Sequence, residues 1–254
     1  APAPISALLS GVIIEAGAYA ILRVSFGTIF PLIIDRVSST QFLYTISLLG
    51  VISAFYGAMT ALAENDIKRI VAYSSISHMG YVLFGLSLYP LAEGIIGTVL
   101  HLVNHAASKG LLFLCAGAVM RQTGLRDIRE MGGLASKMPL TAISTAISSF
   151  SVAGIPAFAC FMSEFLIFMG GFQASNADSF FYLPTSLMIV ATVFSLAYVL
   201  RFFWMIFLEK PKPRTVTKLP ALMATSMLLL SLINVVLGIW PGPVINLIGS
   251  AELG

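Results

Sequence analysis

Apolar positions fill this chain in seven long runs, set apart by short polar segments. A helix needs roughly 20 predominantly apolar residues to cross a bilayer. The runs meet that length at about 5–24, 41–62, 67–88, 94–120, 139–172, 180–207 and 220–247. The fifth is long enough for a span with an interruption, and Gly154-Ile155-Pro156 stands near its middle. Proline removes a backbone donor and clashes with the preceding turn, so two half-helices joined by a short unwound segment are predicted. Such a break survives in lipid only where protein or water satisfies the freed backbone groups, and transporters place ion sites at breaks of this kind. The pattern predicts an all-α, polytopic transmembrane helix bundle of about seven helices, forming a single transmembrane domain over 1–254.

Composition narrows the class. Of 254 residues 58% are hydrophobic and 10% charged, with a mean hydropathy of +0.95. Soluble domains carry about 25% charged residues, so the charge deficit excludes a water-soluble domain, a disordered chain and a nucleic-acid module. Cys115 and Cys160 lie inside apolar runs without metal-ligand spacing and imply neither a disulfide framework nor zinc. Taken on alternating sides, the loops place Lys68, Arg69, Arg121, Arg126, Arg129, Lys137, Lys210, Lys212, Arg214 and Lys218 with the N-terminus, against Arg23 and Arg36 opposite. Basic loops stay cytoplasmic, which predicts a cytoplasmic N-terminus and an external C-terminus. No signal peptide is read at Ala1-Pro2-Ala3-Pro4. So abrupt an opening reads as a fragment or as one piece of a larger transporter.

The residues that the bilayer penalises carry the chemistry. An ionisable group at the centre of a span costs at least about 2.5–3.5 kcal/mol, and such groups usually line ion or proton paths. Glu15, His78, His101, His105, Lys109 and Glu164 all lie well inside apolar runs. His101, His105 and Lys109 recur every four residues, which puts them on one helical face along about 12 Å. Two imidazoles and a buried amine suit a proton relay; the same histidines equally suit interhelical packing. His78 sits among Tyr73, Ser74, Ser75 and Ser77, a stretch able to hold water or to satisfy a packing histidine. The His101/His105 spacing also fits metal ligands, but no Glu follows the first histidine as a zinc-protease helix requires, so no metal is expected. Glu164, eight to ten residues past the break, must be protonated or paired. Glu15 has small neighbours that let another helix approach, and Lys109 is its obvious opposite charge. Arg201 reads as snorkelling to the cytoplasmic interface, Lys68 and Arg69 as interfacial anchors, and Asp127 and Glu130 as part of a solvated loop or short surface helix.

Three stretches resemble a known family: Asn65-Asp-Ile-Lys-Arg-Ile-Val-Ala-Tyr-Ser-Ser-Ile-Ser-His-Met-Gly80, His105-Ala-Ala-Ser-Lys-Gly-Leu-Leu-Phe-Leu-Cys-Ala-Gly117, and Ser151-Val-Ala-Gly-Ile-Pro156 with Ser163-Glu-Phe-Leu-Ile167 after it. They are similar, in order, to the antiporter-like subunits of respiratory complex I, membrane-bound hydrogenases and related archaeal complexes, and multisubunit sodium/proton antiporters. The opening Ala1-Pro-Ala-Pro-Ile-Ser-Ala-Leu-Leu-Ser-Gly11 resembles the segment before the first of them. The resemblance covers essentially the whole chain and implies a fourteen-helix fold with two five-helix inverted repeats. This chain aligns with helices eight to fourteen: 41–207 forms the second repeat, with 1–40 and 208–254 as flanking helices and loops.

By the same resemblance Lys109 matches the eleventh-helix lysine, His105 the polar residue one turn before it, His78 the tenth-helix histidine and Glu164 the charge on a broken twelfth helix. Glu15 falls where many members carry lysine, so it either pairs with Lys109 or helps hold a cation. The family's seventh-helix lysine and fifth-helix glutamate fall before the first residue; if the chain is whole, another polypeptide supplies that half or the path differs. The implied function is that of a membrane subunit carrying H+, with Na+ as the second candidate, in a redox-driven respiratory or hydrogenase-type complex or a cation/proton antiporter. Lys109 would hold a proton, Glu164 would exchange it with the outside, and His105 and His101 would bridge them through water. The expected partners are other membrane subunits and the lipid bilayer of a prokaryotic or equivalent energy-converting membrane, without nucleic acid. No cysteine cluster, haem motif or nucleotide fingerprint is present, so no cofactor and no redox site of its own is expected. A purely structural membrane subunit and an independent transporter stay open as alternatives.

Overall fold

The structure, a computed structural model, describes residues 3–29, 36–212 and 215–252. Ala1, Pro2 and Arg214 lie outside the described residues. Helix α1 is a rod built from Ala3–Leu8, a π-helical turn Leu9–Ile13, Ile14–Ile21 and a second π-helical stretch Leu22–Ile29. There follow α2 (Arg36–Ala63), α3 (Ile67–Leu86), α4 (Ala92–Thr123), α5 (Pro139–Val152), α6 (Ala159–Ala177), α7 (Tyr182–Phe203, continued by a π-helical turn Trp204–Leu208), α8 (Ala221–Ile239) and α9 (Gly242–Glu252). Among the described residues, five helices are long and apolar enough to cross a membrane: Ile5–Val24, Ser39–Ala63, Ala92–Thr123, Ser179–Leu208 and Ala221–Ile239. The third run, α3, is too polar for that set because its serines and His78 turn into protein instead of lipid. The seventh run stops short of its expected end. Pro241 follows Ile239 closely, and the chain restarts as the separate helix α9.

The predicted break divides the fifth run into α5 and α6. Pro156 would clash with the carbonyl of Val152 were the helix to continue, and Val152 is the last residue of α5. The end closes with two backbone bonds, Ile155 N to Phe150 O at 3.1 Å and Gly154 N to Ser151 O at 3.0 Å. Gly154, at φ +65°, supplies the left-handed residue such a closure needs. Protein also partners the freed groups of α6. The Cys160 N–H donates to Ser151 Oγ at 3.3 Å, and Asn104 Nδ2 donates to the Ala159 carbonyl at 2.6 Å.

Small residues set the helix spacing. A Cβ on Gly50 would lie 2.7 Å from the backbone nitrogen of Phe84, and one on Gly57 would lie still closer to that of Ser77. The α2 and α3 backbones therefore touch, as expected where small residues line an intramembrane interface. Ser77 Oγ completes that contact by donating to the Ala54 carbonyl at 2.9 Å. Helices α4 and α6 cross as closely, with Gly170 against the Gly94 backbone and Gly97 against Ile167. Lipid-facing apolar side chains lie on the outside: Leu222 is 82% exposed and Leu183 65%.

The basic loops gather at one end and are stitched together. Ile67 N donates to Arg126 O at 2.9 Å, and Ile128 N to Asn65 O at 3.0 Å. Thr217 N reaches Gln122 O at 3.1 Å, while Leu134 N reaches Ile206 O at 3.3 Å. Asp66 caps α3 from its side chain, at 2.9 Å from Lys68 N. Asp127 opens the short 3-10 turn Ile128–Glu130 in the same way, so this segment is a surface turn as expected. Arg201 extends to the loop end of its span, where protein meets its charge: it donates to Glu64 O at 2.7 Å and to Asn65 Oδ1 at 2.5 Å. The α2–α3 loop lies within its reach and offers two acceptors, which removes the need to extend to water.

Candidate functional site

Four helices bring the six buried ionisable residues into one polar interior. Glu15 comes from α1, His78 from α3, His101, His105 and Lys109 from α4, and Glu164 from α6. His78, His101, His105 and Lys109 are wholly buried, Glu15 is 8% exposed and Glu164 5%. The α4 residues share a face by their four-residue spacing, and the glycine contacts of Gly97 and Gly170 bring α6 close against α4.

The Glu15 carboxylate pairs with His105 Nδ1. Its partner is thus the histidine, while Lys109 Nζ donates to Ser74 Oγ on α3. His78 Nδ1 and His101 Nε2 lie 3.2 Å apart. The other nitrogen of His101 meets Ser163 Oγ at 2.9 Å, and the other nitrogen of His78 meets the Tyr198 hydroxyl at 3.5 Å. The His78 ring centroid is 5.3 Å from that of His101 and 5.1 Å from that of His105. One ligand-capable atom from each of His78, His101 and Glu164 lies within 4.8 Å of the others. Lys109 and Glu164 are therefore not in contact; the imidazoles stand between them.

Hydroxyls and amides that the ionisable pattern left unmarked extend this interior. Ser108 Oγ lies 2.7 Å from Ser151 Oγ and 2.6 Å from Asn234 Oδ1, joining α4, α5 and α8. Ser10 and Ser75 meet at 2.6 Å between α1 and α3. On α5 the buried Thr141, Thr145, Ser148 and Ser151 follow one another at helical spacing. Their spacing of three or four residues was a legible signal. This stripe starts at a pocket of about 440 Å³ lined by Gln122, Thr141, Thr217 and Lys218. Several buried polar atoms of the interior have no hydrogen-bond partner among the described residues: Glu15 Oε2, His105 Nε2 and Asn104 Oδ1.

A family model described as NADH:quinone oxidoreductase/Mrp antiporter, transmembrane, matches residues 1–195. A Na(+)/H(+) antiporter subunit A1 of Staphylococcus aureus (strain JH9) is 33% identical over 97% of this chain and 32% of its own length. The chain thus spans about a third of the length of that curated relative. Among solved structures, respiratory complex I from Thermus thermophilus with bound NADH superposes with a TM-score of 0.82 at 28% identity, over 95% of this chain and 48% of the other. The Mrp complex from Dietzia sp. DQ12-45-1b superposes with a TM-score of 0.87 at 22% identity, over 96% of this chain and 52% of the other, which is a likeness of fold.

Proposed function

The chain belongs to the transmembrane NADH:quinone oxidoreductase/Mrp antiporter family, and from that premise we propose that it carries protons through its polar interior as one membrane subunit of a larger complex. The observation that carries this reading is the His78–His101 pair at 3.2 Å, each ring held on its far side by a hydroxyl, between Lys109 and Glu164. A neutral imidazole accepts a proton on one nitrogen and releases one from the other, so two facing rings pass a proton on by exchanging tautomers. Lys109 holds the proton at the centre, and Ser74 orients its ammonium. The Glu15–His105 pair sets the field there, since charge changes at one site alter the proton affinity of its neighbours without large helix movement. Glu164 exchanges the proton with the outer side at the break. The buried atoms without protein partners, His105 Nε2 and Glu15 Oε2 among them, favour water as the link between His105 and the His78–His101 pair, because buried polar groups are otherwise hydrogen-bonded.

Na+ is the second candidate ion, supported by the likeness to a Na(+)/H(+) antiporter subunit of Staphylococcus aureus. The partners are other membrane subunits, as in the multisubunit complexes whose chains superpose on this one. The basic, stitched end faces the cytoplasm by the charge rule. The test is proton uptake by proteoliposomes of the assembled complex carrying Glu164→Gln or His101→Gln. Both variants are expected to assemble and to lose uptake. Full assembly with native uptake would assign these residues to packing alone.

A further inference from the structure

We propose that His78, His101 and Glu164 form a binding site for a divalent transition metal ion, with Zn2+ the best fit. Three observations carry it. Ligand-capable atoms of these residues, drawn from α3, α4 and α6, lie within 4.8 Å of one another. The facing nitrogens, His78 Nδ1 and His101 Nε2, are 3.2 Å apart, while tetrahedral Zn–N bonds of about 2.0–2.1 Å put neighbouring ligand atoms about 3.3–3.4 Å apart. The two imidazoles thus already stand near the edge length of a zinc tetrahedron. Each outer nitrogen is fixed by a hydroxyl, Ser163 at 2.9 Å and Tyr198 at 3.5 Å. Metal-binding histidines are held in this way by their outer nitrogens.

The donor set selects the ion. Two imidazole nitrogens and one carboxylate suit Zn2+ or a neighbouring late transition metal, whereas Na+, Mg2+ and Ca2+ take oxygen ligands. Three protein ligands leave a fourth position for water. The break makes room for the carboxylate: Gly154 has no side chain, and a Cβ there would meet the Glu164 carboxyl group. The four-residue pair His101/His105 is not the metal pair. Their rings are 6.1 Å apart by centroid, and Glu15 already engages His105. The ligands come from three different helices, which is why no spacing along the chain reveals them. Bound metal ties up the facing nitrogens and Glu164 together, so it also stops proton passage; that consequence alone rests on the proposed function.

The test is Co2+ titration of the purified membrane complex containing the chain, followed by its visible absorption, with displacement by Zn2+. The native complex is expected to show tetrahedral Co2+ bands that Zn2+ abolishes. His101→Gln and Glu164→Gln should lose them, and His105→Gln should keep them. Ser163→Ala, a mild change that leaves all three ligands, should weaken binding by about 10–100-fold, and it decides the matter if a ligand variant does not assemble. Absence of the bands in the native complex, or equal affinity in the native and Ser163→Ala forms, would overturn the proposal. Proton uptake measured in parallel separates the two readings. Co2+ binding by a complex that moves no protons refutes transport and leaves the metal site standing. Proton uptake without Co2+ binding refutes the metal site alone.

Discussion

Replacing Gly154 with alanine tests whether the break positions Glu164. Gly154 is at φ +65°, and a left-handed conformation costs a residue with a Cβ about 1–2 kcal/mol. That is roughly a 5- to 30-fold loss in the ratio of folded to unfolded protein. The new methyl would also lie 3.1 Å from Glu164 Cδ and closer still to Oε2, so the carboxylate must swing away from His78 and His101. Ala157→Gly is the control. Ala157 is also in the left-handed region, at φ +73°, so glycine relieves strain there. The added chain entropy of about 0.5–1 kcal/mol offsets much of the gain, and the change leaves Glu164 in place. Proton uptake by proteoliposomes, read with a pH-sensitive dye, and thermal unfolding of the same preparations give both outcomes. Gly154→Ala is expected to lower stability by about 1–2 kcal/mol and to cut uptake per assembled complex, while Ala157→Gly changes neither strongly. Native stability and uptake in Gly154→Ala would refute the reasoning.

Glu15→Gln replaces the carboxyl partner of His105 with an amide and is expected to cost about 0.5–1.5 kcal/mol, the range for an ordinary hydrogen bond; chemical denaturation in detergent would show it. Arg201→Met removes two bonds to the α2–α3 loop and should cost about 1.5–3 kcal/mol, the range for hydrogen bonds to a charged group, with faster proteolysis at 64–66 and no loss of uptake per intact complex. Asp127 is held down to about 2, mainly by the side-chain bond from Arg129. A depressed carboxylate stabilises the fold above its ordinary range, near 4, and loses that contribution as pH falls through about 2. Protection of the 124–138 loop against hydrogen exchange, taken relative to the intrinsic amide rate at each pH, should therefore fall as the pH drops through this window, and Asp127→Asn should flatten the dependence.

Span positions, the break and the six buried ionisable residues were legible because lipid imposes a length and penalises charge. Pro156 and Gly154 announced the interruption, whereas Pro241 went unread because hydropathy runs on past it, and the seventh run was drawn too long. Pairing was not legible. Opposite charge favoured Glu15 with Lys109, yet Glu15 meets His105 and Lys109 meets Ser74, because helix rotation decides which groups on a shared face touch. The reach of Arg201 toward the loop end was legible, but its two acceptors on the α2–α3 loop were not. The α5 hydroxyl stripe was passed over because serine and threonine are ordinary membrane-helix residues, although their three- and four-residue spacing set them on one face.

Lys109 is the point through which the whole account runs, and proton flux across membranes holding the fully assembled Lys109→Ala complex measures it most directly. Flux is expected to vanish while native gels show every subunit in place. Undiminished flux through that complex would mean that buried charge in this protein serves only to hold helices together.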